Sequence, residues 1–343
     1  MNFNRNRKIL DVCADFGEPS FRLKQIYQAV YQKDFTRYSE ISNISIPLRQ
    51  VLEKELGNVL TLEKLVSNKG ENVEKILFKT RDDERIEAVL MEYKGEDNKP
   101  HKSLCVSNQI GCNMGCKFCV TGNLVKLKRN LTADEIVDQV LYFRKSGIEV
   151  DSVFFSGMGE PLANPHFFEA LDTLISKDFV GMSARKFSIS TVGVIDGIGK
   201  ITDKYPQVNL AFSLHSPFEE EREKLMPANR AYPLSEVMKT LDKHIEISNK
   251  KVFLAYVMLK NVNDSADHAV ALAELIRSRG KKSYLYHVNL IRFHQGSSKE
   301  EFESSDNDRI KKFMNVLKRK GINCTLRMSF GSDIEAACRQ LYA

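Results

Sequence analysis

From residue 104 onward the chain repeats one pattern, a short β-rich apolar run followed by an amphipathic stretch. The runs fall at 104–106, 153–156, 187–190, 210–214, 252–257 and 284–291, and the clearest helical stretches between them at 133–144, 167–175, 234–247 and 266–277. Strands separated by whole helices cannot pair as hairpins; each crossover delivers the next strand parallel to the last, with the helices covering the sheet. Six such runs predict an α/β fold built on a parallel sheet, open or rolled into a partial barrel. Residues 317–327 add a last helix end and strand. No matched internal repeat accompanies the alternation, so it reflects architecture.

The first 98 residues follow different rules. Phe21, Ile26, Val30 and Tyr31 share one helical spacing; Leu48, Val51, Leu52 and Leu56 share another, stopped by Gly57. Ile76 and Phe78, then Ile86, Ala88 and Leu90, alternate as a hairpin around 81–84. The polar stretch 94–102, with Pro100, is expected to be a linker. The expected division is 1–98, helices then a β-hairpin, and the alternating part at 99–343; where residues 99–343 hold a reactive site, 1–98 is expected to be an accessory domain that binds its nucleic-acid partner.

A chain of 343 residues with 42% hydrophobic residues can bury a full core, which excludes a disordered or low-complexity protein. No apolar run approaches the roughly 20 residues of a membrane span. The start is polar and basic, so a cytoplasmic protein without membrane contact is expected. The net charge of +6 is uneven: residues 1–98 hold 16 basic and 17 acidic residues, leaving 35 and 28 for the rest. That surplus suits a polyanionic partner, and equally an ordinary basic enzyme.

In parallel α/β sheets, function gathers at the carboxyl ends of the strands. Four suggestive motifs sit there: 112–119, Gly157-Met158-Gly159-Glu160-Pro161, Ser190-Thr191 and Ser213-Leu214-His215. Seven cysteines are too few for a disulfide scaffold, yet Cys112, Cys116 and Cys119 lie within eight residues. Three thiolates from one loop can hold three irons of a cubane cluster and leave the fourth open to a small molecule's amino and carboxylate groups. A zinc site completed by a remote ligand, or three buried thiols, are the alternatives. Glycines at 111 and 115 favour a loop wrapped around a compact object.

The spacing CxxxCxxC, with Phe118 before the last cysteine and GMGEP after the second strand, resembles the radical S-adenosylmethionine (SAM) superfamily. SxQxGCNMGCKFCxTG, KRNLTADEIVDQV, GMGEPLAN, SISTVG, SLHSP and DIEAAC resemble the RlmN/Cfr family of RNA adenine methyltransferases over residues 20–342. The resemblance implies a partial (β/α)6 radical-SAM barrel, one 4Fe-4S cluster held by Cys112, Cys116 and Cys119, and two SAM molecules per turnover. It also implies a reason for this equipment, because the carbons methylated in adenine are electron-poor and resist polar transfer from a sulfonium. In the family one SAM methylates a cysteine near the C-terminus. A radical from the second SAM takes hydrogen from that methyl group, the carbon radical adds to the base, and a second cysteine releases the adduct by forming a disulfide.

By the same resemblance Cys338 carries the methyl group, Cys105 resolves the adduct through a transient disulfide with Cys338, and Glu87 accepts the proton. Gly159 and Glu160 match positions that hold the SAM amino group; Ser190, Ser213, Leu214 and His215 match its ribose and carboxylate contacts. His294 stands where the family has an asparagine, and an imidazole cannot donate and accept as an amide does. Without the family, Cys338 and Cys105 would read as buried apolar cysteines, Glu87 as a solvent-facing carboxylate and His294 as a surface histidine. Cys13 and Cys324 are left as structural. Lys117, Lys126, Lys128, Arg129, Arg22, Lys24 and Arg37 are the expected phosphate contacts, against the alternative of a solvated basic face.

Two activities share this machinery: methylation of carbon 2 of adenosine 2503 in 23S rRNA, with adenosine 37 of tRNA a further substrate of some members, and methylation of carbon 8 of the same rRNA base. The second confers resistance to phenicols, lincosamides, oxazolidinones, pleuromutilins and streptogramin A. YPQVNLAFSLHSP, KLMP, LYHVNLIR and SFGSDIEAAC look like the carbon-8 branch, so carbon 8 is expected; Pro161 and Arg339 look less so. The expected partners are 23S rRNA before ribosome assembly is complete and flavodoxin or ferredoxin as reductant, with the enzyme a monomer. A non-catalytic metal- and RNA-binding protein is the remaining alternative, for which an acceptor thiol at Cys338 would have no use.

Overall fold

The computed structural model describes residues 3–95, 98–294, 302–328, 331 and 340–341. Three helices, α1 (Arg5–Asp15), α2 (Ser20–Gln32) and α3 (Ile46–Leu56), precede three strands, β1 (Glu63–Lys69), β2 (Val73–Lys79) and β3 (Arg85–Lys94). The alternating part follows: β4 (Pro100–Val106), a small hairpin of β5 (Gln109–Ile110) and β6 (Arg129–Asn130) around α4 (Val120–Leu124), then α5 (Ala133–Lys145), β7 (Ser152–Phe155), α6 (Phe167–Ile175), β8 (Phe187–Thr191), α7 (Ile195–Lys204) and β9 (Asn209–Ser213). It continues through α8 (Glu219–Leu225), α9 (Leu234–Ser248), β10 (Val252–Met258), α10 (Ala266–Arg277), β11 (Tyr286–Arg292), α11 (Asn307–Arg319) and β12 (Cys324–Leu326). Among the described residues no helix is long and apolar enough to cross a membrane.

Ten strands form one sheet in the order β1-β2-β3-β4-β7-β8-β9-β10-β11-β12. From β4 onward every pairing is parallel, as the six runs predicted, and β12 adds a seventh parallel strand. The first four strands pair antiparallel. The stretch read as a linker is therefore the connection between β3 and β4, two paired strands with Val89 opposite Cys105. Pro100 is tolerated there because it opens its strand.

Alternation along the strands explains the hollow centre. Phe155, Ile189, Phe212, Leu254 and Leu290 face the helices and are fully buried. The intervening positions include Ser188, Ser190, Ala211, Ser213 and Ala255, small residues that leave space and line a cavity of about 340 Å³. Phe154, Phe253, Asn289 and Arg327 line the same cavity. The Arg327 guanidinium reaches across from the end of β12 to within 4.7 Å of the Phe154 ring centroid on β7, so the sheet curls into a partial barrel.

Helix α5 is closed by a capping box in which the Thr132 hydroxyl accepts from the Glu135 N–H and the Glu135 carboxylate accepts from the Thr132 N–H. Its outer face holds the N-terminal helices. Arg5 and Asp138 are both fully buried, with Nη2 2.5 Å from Oδ2. Asp138 Oδ2 also accepts from the Thr61 N–H at 2.6 Å and the Thr61 hydroxyl at 2.7 Å. Helix α1 was not among the sequence expectations, although Ile9, Val12 and Cys13 on its buried face stand at helical spacing.

Candidate active site

The loop after β4 begins with Ser107, a buried residue that joins three elements. Its N–H donates to Gln139 Oε1 of α5, its hydroxyl donates to the Glu87 carbonyl of β3 at 2.7 Å, and the Met158 N–H donates to that hydroxyl at 3.0 Å. Gly157 then donates to the Val106 carbonyl, and a Cβ at Gly157 would stand 2.7 Å from that oxygen. The loops after β4 and β7 are thus locked side by side. Gln109 completes the lock by accepting from the Glu160 N–H at 2.8 Å.

Cys112, Cys116 and Cys119 occupy the loop between β5 and α4, and all three line the cavity. Gly111 has φ +80°, and a Cβ there would lie 2.2 Å from the Lys126 carbonyl oxygen, so only glycine lets the loop fold back on 125–126. The Cys112 N–H donates to the Val125 carbonyl. Phe118 packs edge-on to His215 at 4.9 Å, and the Lys117 N–H donates to the Leu225 carbonyl of α8.

Burial pushes the Cys112 thiol up to about 12, with Cys119 and Glu160 adding to the effect against a hydrogen bond from the Met114 N–H. Such a thiol ionises only when a metal's charge replaces its proton. Among the described residues no three His, Cys, Asp or Glu side chains gather around a point fit for one metal ion. A half-buried loop of three cysteines that all line one cavity fits an iron–sulfur cluster, in which each thiolate serves its own iron.

Gly159, at φ +88°, lies against Gln109, whose Cβ would be 2.4 Å from any Cβ added there. Glu160 beside it is buried; its carboxylate accepts from the Leu162 N–H at 3.2 Å and the Val192 N–H at 2.9 Å. Burial raises it to about 7, opposed by the bonds from Val192, Thr191 and Leu162. A buried carboxylate at a cavity wall suits an ammonium group.

Ser190, Ser213 and His215 also line the cavity. His215 has φ +59° and is fully buried; its Nδ1 accepts from the Val257 N–H at 3.0 Å, and Asn263 donates to its carbonyl. The Leu214 side chain is buried in the core and is not among the cavity-lining residues, although its carbonyl accepts from Arg222. His294 is likewise not among them; burial and Arg292 lower its pKa. From that end of the barrel Asn289 and Ile291 of β11 line the cavity instead.

Glu87, Val89 and Cys105 share one face of the sheet, with Val89 directly opposite Cys105. Glu87 is buried, contrary to its solvent-facing alternative, and Lys75 Nζ stands 3.2 Å from its carboxylate. Cys105 packs with Val73, Val89, Met91, Met158 and Leu341. Leu341 is held there by its carbonyl, which accepts from the Thr121 hydroxyl just beyond the cysteine loop. Cys338 itself lies outside the described residues. Cys13 and Cys324 are buried, as structural cysteines should be.

Several basic residues expected to meet phosphate already have acidic partners. Lys128 pairs with Glu84 at 2.7 Å, Arg129 with Asp82 at 2.5 Å and Glu135 at 2.8 Å, Arg37 with Glu53 at 2.9 Å, and Arg22 with Glu18 at 3.4 Å. These pairs knit the molecule together, Lys128 and Arg129 tying the small hairpin to the turn between β2 and β3. Sequence reasoning missed Phe154, Asn289, Arg327 and Tyr93 as cavity residues. Inward parity on the strands was the signal that could have found the first two.

Residues 107–275 match the radical SAM superfamily, and residues 1–56 match the ribosomal RNA large subunit methyltransferase N-terminal domain. The ribosomal RNA large subunit methyltransferase Cfr of Bacillus velezensis is 49% identical, covering 94% of this chain and 92% of the relative. The Cfr of Staphylococcus aureus is 47% identical over 100% of this chain and 98% of its own. A radical SAM methyltransferase from Sphaerobacter thermophilus superposes with a TM-score of 0.89 at 34% identity, covering 99% of this chain and 97% of that one. The chain therefore belongs to the radical SAM superfamily and, within it, to the family of Cfr ribosomal RNA large subunit methyltransferases.

Proposed function

We propose that this enzyme methylates carbon 8 of adenosine 2503 in 23S rRNA through a methylated Cys338, and so confers resistance to antibiotics of the peptidyl transferase centre. The observation that carries the mechanism is the placement of Leu341. Three residues beyond Cys338 in sequence, Leu341 packs in the apolar group that contains Cys105, which supports a working pair of Cys105 and Cys338. The choice of carbon 8 rests on the Cfr-like segments SLHSP, KLMP, LYHVNLIR and SFGSDIEAAC together with the Cfr relatives.

Cys112, Cys116 and Cys119 would hold the cluster. Glu160, with Gly159, would take the ammonium of SAM, and Ser190, Ser213 and His215 would line the rest of its site, with Leu214 contributing backbone and His294 closing the far end. With both groups bound, two SAM molecules per turnover supply one methyl group and one radical able to abstract hydrogen. The chain's own residues then act in order. Cys338 accepts the methyl group on its sulfur and presents it to the base. Glu87, on the same face as Cys105, takes the proton from the methylated carbon. The Cys105 thiolate attacks the Cys338 sulfur, forming a disulfide as the sulfur–methylene bond of the adduct breaks; the released methylene takes up a proton to become the methyl group, and the one electron supplied through the cluster, when bound, would return to it.

The target base must leave its stack to reach this interior, and the 1–98 segment would hold the surrounding RNA before ribosome assembly is complete. The protein would work in the cytoplasm as a monomer with flavodoxin or ferredoxin as reductant, and tRNA adenosine 37 would be a secondary substrate at most. Mass spectrometry of rRNA from cells that lack their own carbon-2 enzyme and express this chain tests the assignment. The expected product is 8-methyladenosine; 2-methyladenosine alone would sink it in favour of the carbon-2 activity. Cys338→Ala should abolish methylation, and Cys105→Ala should accumulate a covalent protein–RNA species. Free turnover by Cys105→Ala would reject the disulfide step.

A further inference from the structure

Helix α8 carries a fully buried arginine, Arg222, against the loop that bears the three cysteines. Its Nε donates to the Leu214 carbonyl at 3.2 Å, its Nη2 to the Val192 carbonyl at 2.8 Å and the Ser213 carbonyl at 3.1 Å, and its Nη1 to Asn229 Oδ1. The guanidinium also lies 4.9 Å from the Phe212 ring centroid. All of these partners are neutral. Among the described residues no carboxylate lies within ion-pair distance of Arg222.

A nearby carboxylate is held one step away. Asn229 Nδ2 donates to Glu219 Oε1 at 2.6 Å, and the Leu234 N–H donates to the same oxygen at 2.9 Å. The Asn229 amide is thus a spacer that keeps the guanidinium from the acid that would neutralise it. Burying an uncompensated charge is costly, so a fold that keeps one has a use for its field. The loop facing it is fixed by two contacts: the Lys117 N–H donates to the Leu225 carbonyl of α8, and Gly115 abuts Pro227 just beyond that helix.

We infer that Arg222 is a positioning residue whose buried charge offsets the negative charge of the thiolate-held iron–sulfur cluster and raises its reduction potential. The inference rests on the assignment of Cys112, Cys116 and Cys119 as cluster ligands. Four of the five guanidinium protons are committed to the bonds above, so Arg222 acts through its field and not as a ligand or a SAM contact. Burial pulls the Arg222 guanidinium down to about 10 against the opposing pull of Cys116 and Glu219, which leaves it charged at neutral pH. In a low-dielectric interior a fixed cation stabilises the more negative, reduced state of a cluster, which carries one extra electron from the reductant.

The test compares the wild type with Arg222→Gln, Arg222→Lys and the double variant Asn229→Asp/Glu219→Gln, all with the cluster reconstituted anaerobically. The double variant keeps the arginine and the carboxylate count but moves the acid onto the guanidinium. Iron and sulfide per chain, the electron paramagnetic resonance spectrum of the reduced cluster and its midpoint potential are measured. Equal iron in all four proteins is expected. The equilibrium constant for reduction should fall tenfold or more in Arg222→Gln and in the double variant, 59 mV for a one-electron couple. Arg222→Lys should stay within threefold of the wild type. If Arg222→Gln fails to fold, the double variant decides the matter alone. A loaded cluster whose equilibrium constant for reduction changes less than twofold in the double variant overturns the role of Arg222 and leaves the cluster standing. A wild type that takes up no iron overturns the ligand assignment and this inference together.

Discussion

Asp138→Ala should be among the most damaging single substitutions in the protein, although it lies away from the cavity-lining residues. Asp138 accepts from Arg5 Nη2 at 2.6 and 2.5 Å, and from both the N–H and the hydroxyl of Thr61. Both charges are fully buried. Removing one partner of a buried pair costs about 3–5 kcal/mol, here towards the lower end because Asp134 Oδ1, 3.8 Å from Arg5 Nη1, remains as a more distant partner. The orphaned Thr61 N–H adds about 1–3 kcal/mol. Even with imperfect additivity the loss should reach about 4 kcal/mol, a large fraction of the roughly 5–15 kcal/mol that holds a folded protein together. Equilibrium urea titration followed by circular dichroism measures it. Arg5→Met/Asp138→Leu should be less unstable than the sum of the two single variants, since only Asp134 then loses its cation, and it still accepts from the N–H of residue 5. A loss below about 1 kcal/mol in Asp138→Ala, or a double variant as unstable as the sum of the singles, would refute the view that this pair docks the N-terminal helices.

Glu160 gives a pH dependence with a definite sign. Its folded-state pKa is raised from 4.5 to about 7 by burial, so its stabilising contribution is complete below about pH 4.5 and is lost as pH rises through 7, by roughly 3 kcal/mol. Glu160→Gln should flatten the melting temperature between pH 4.5 and 7, and an unchanged slope would reject the assignment. SAM binding to the wild type should strengthen as pH rises to 7, because an ammonium favours the carboxylate; isothermal titration in two buffers of different ionisation heat would show the proton released. Gly111→Ala, with φ +80° and a Cβ 2.2 Å from a backbone oxygen, should fold yet take up less than half the wild-type iron. Gly199→Ala, inside α7 with open space around it, should raise stability by up to about 1 kcal/mol.

Much of the barrel could be read from the chain because each parallel strand is apolar on the face its helices cover. Val153 and Phe155, or Leu210 and Phe212, are recognisable without knowing their neighbours. The connection at 94–102 was misread because polarity and Pro100 mark a tight turn between paired strands as readily as a linker. Nothing near Arg5 in the sequence marks it as buried; only the fold brings Asp138 to it across 133 residues. Glu87 shows the same limit. The alternation Ile86, Ala88, Leu90 identified one buried face, but the opposite face is buried too, since β3 forms part of the barrel wall. At the site, the cysteine loop and Gly159-Glu160 were legible because their spacing is local. Arg222 was not, because its meaning depends on an asparagine that stands between it and Glu219.

Strand β3 is hydrogen-bonded to β2 on one side and to β4 on the other, so the three strands before residue 98 and the barrel share a single continuous backbone ladder. A border drawn through shared hydrogen bonds cannot work as a hinge. The carboxylate on β3 and the thiol on β4 are therefore carried by neighbouring strands of one ladder and not by two separately hinged bodies. For an enzyme that must confine a radical, a seamless wall also means that the reactive interior does not open by rocking one half of the protein against the other.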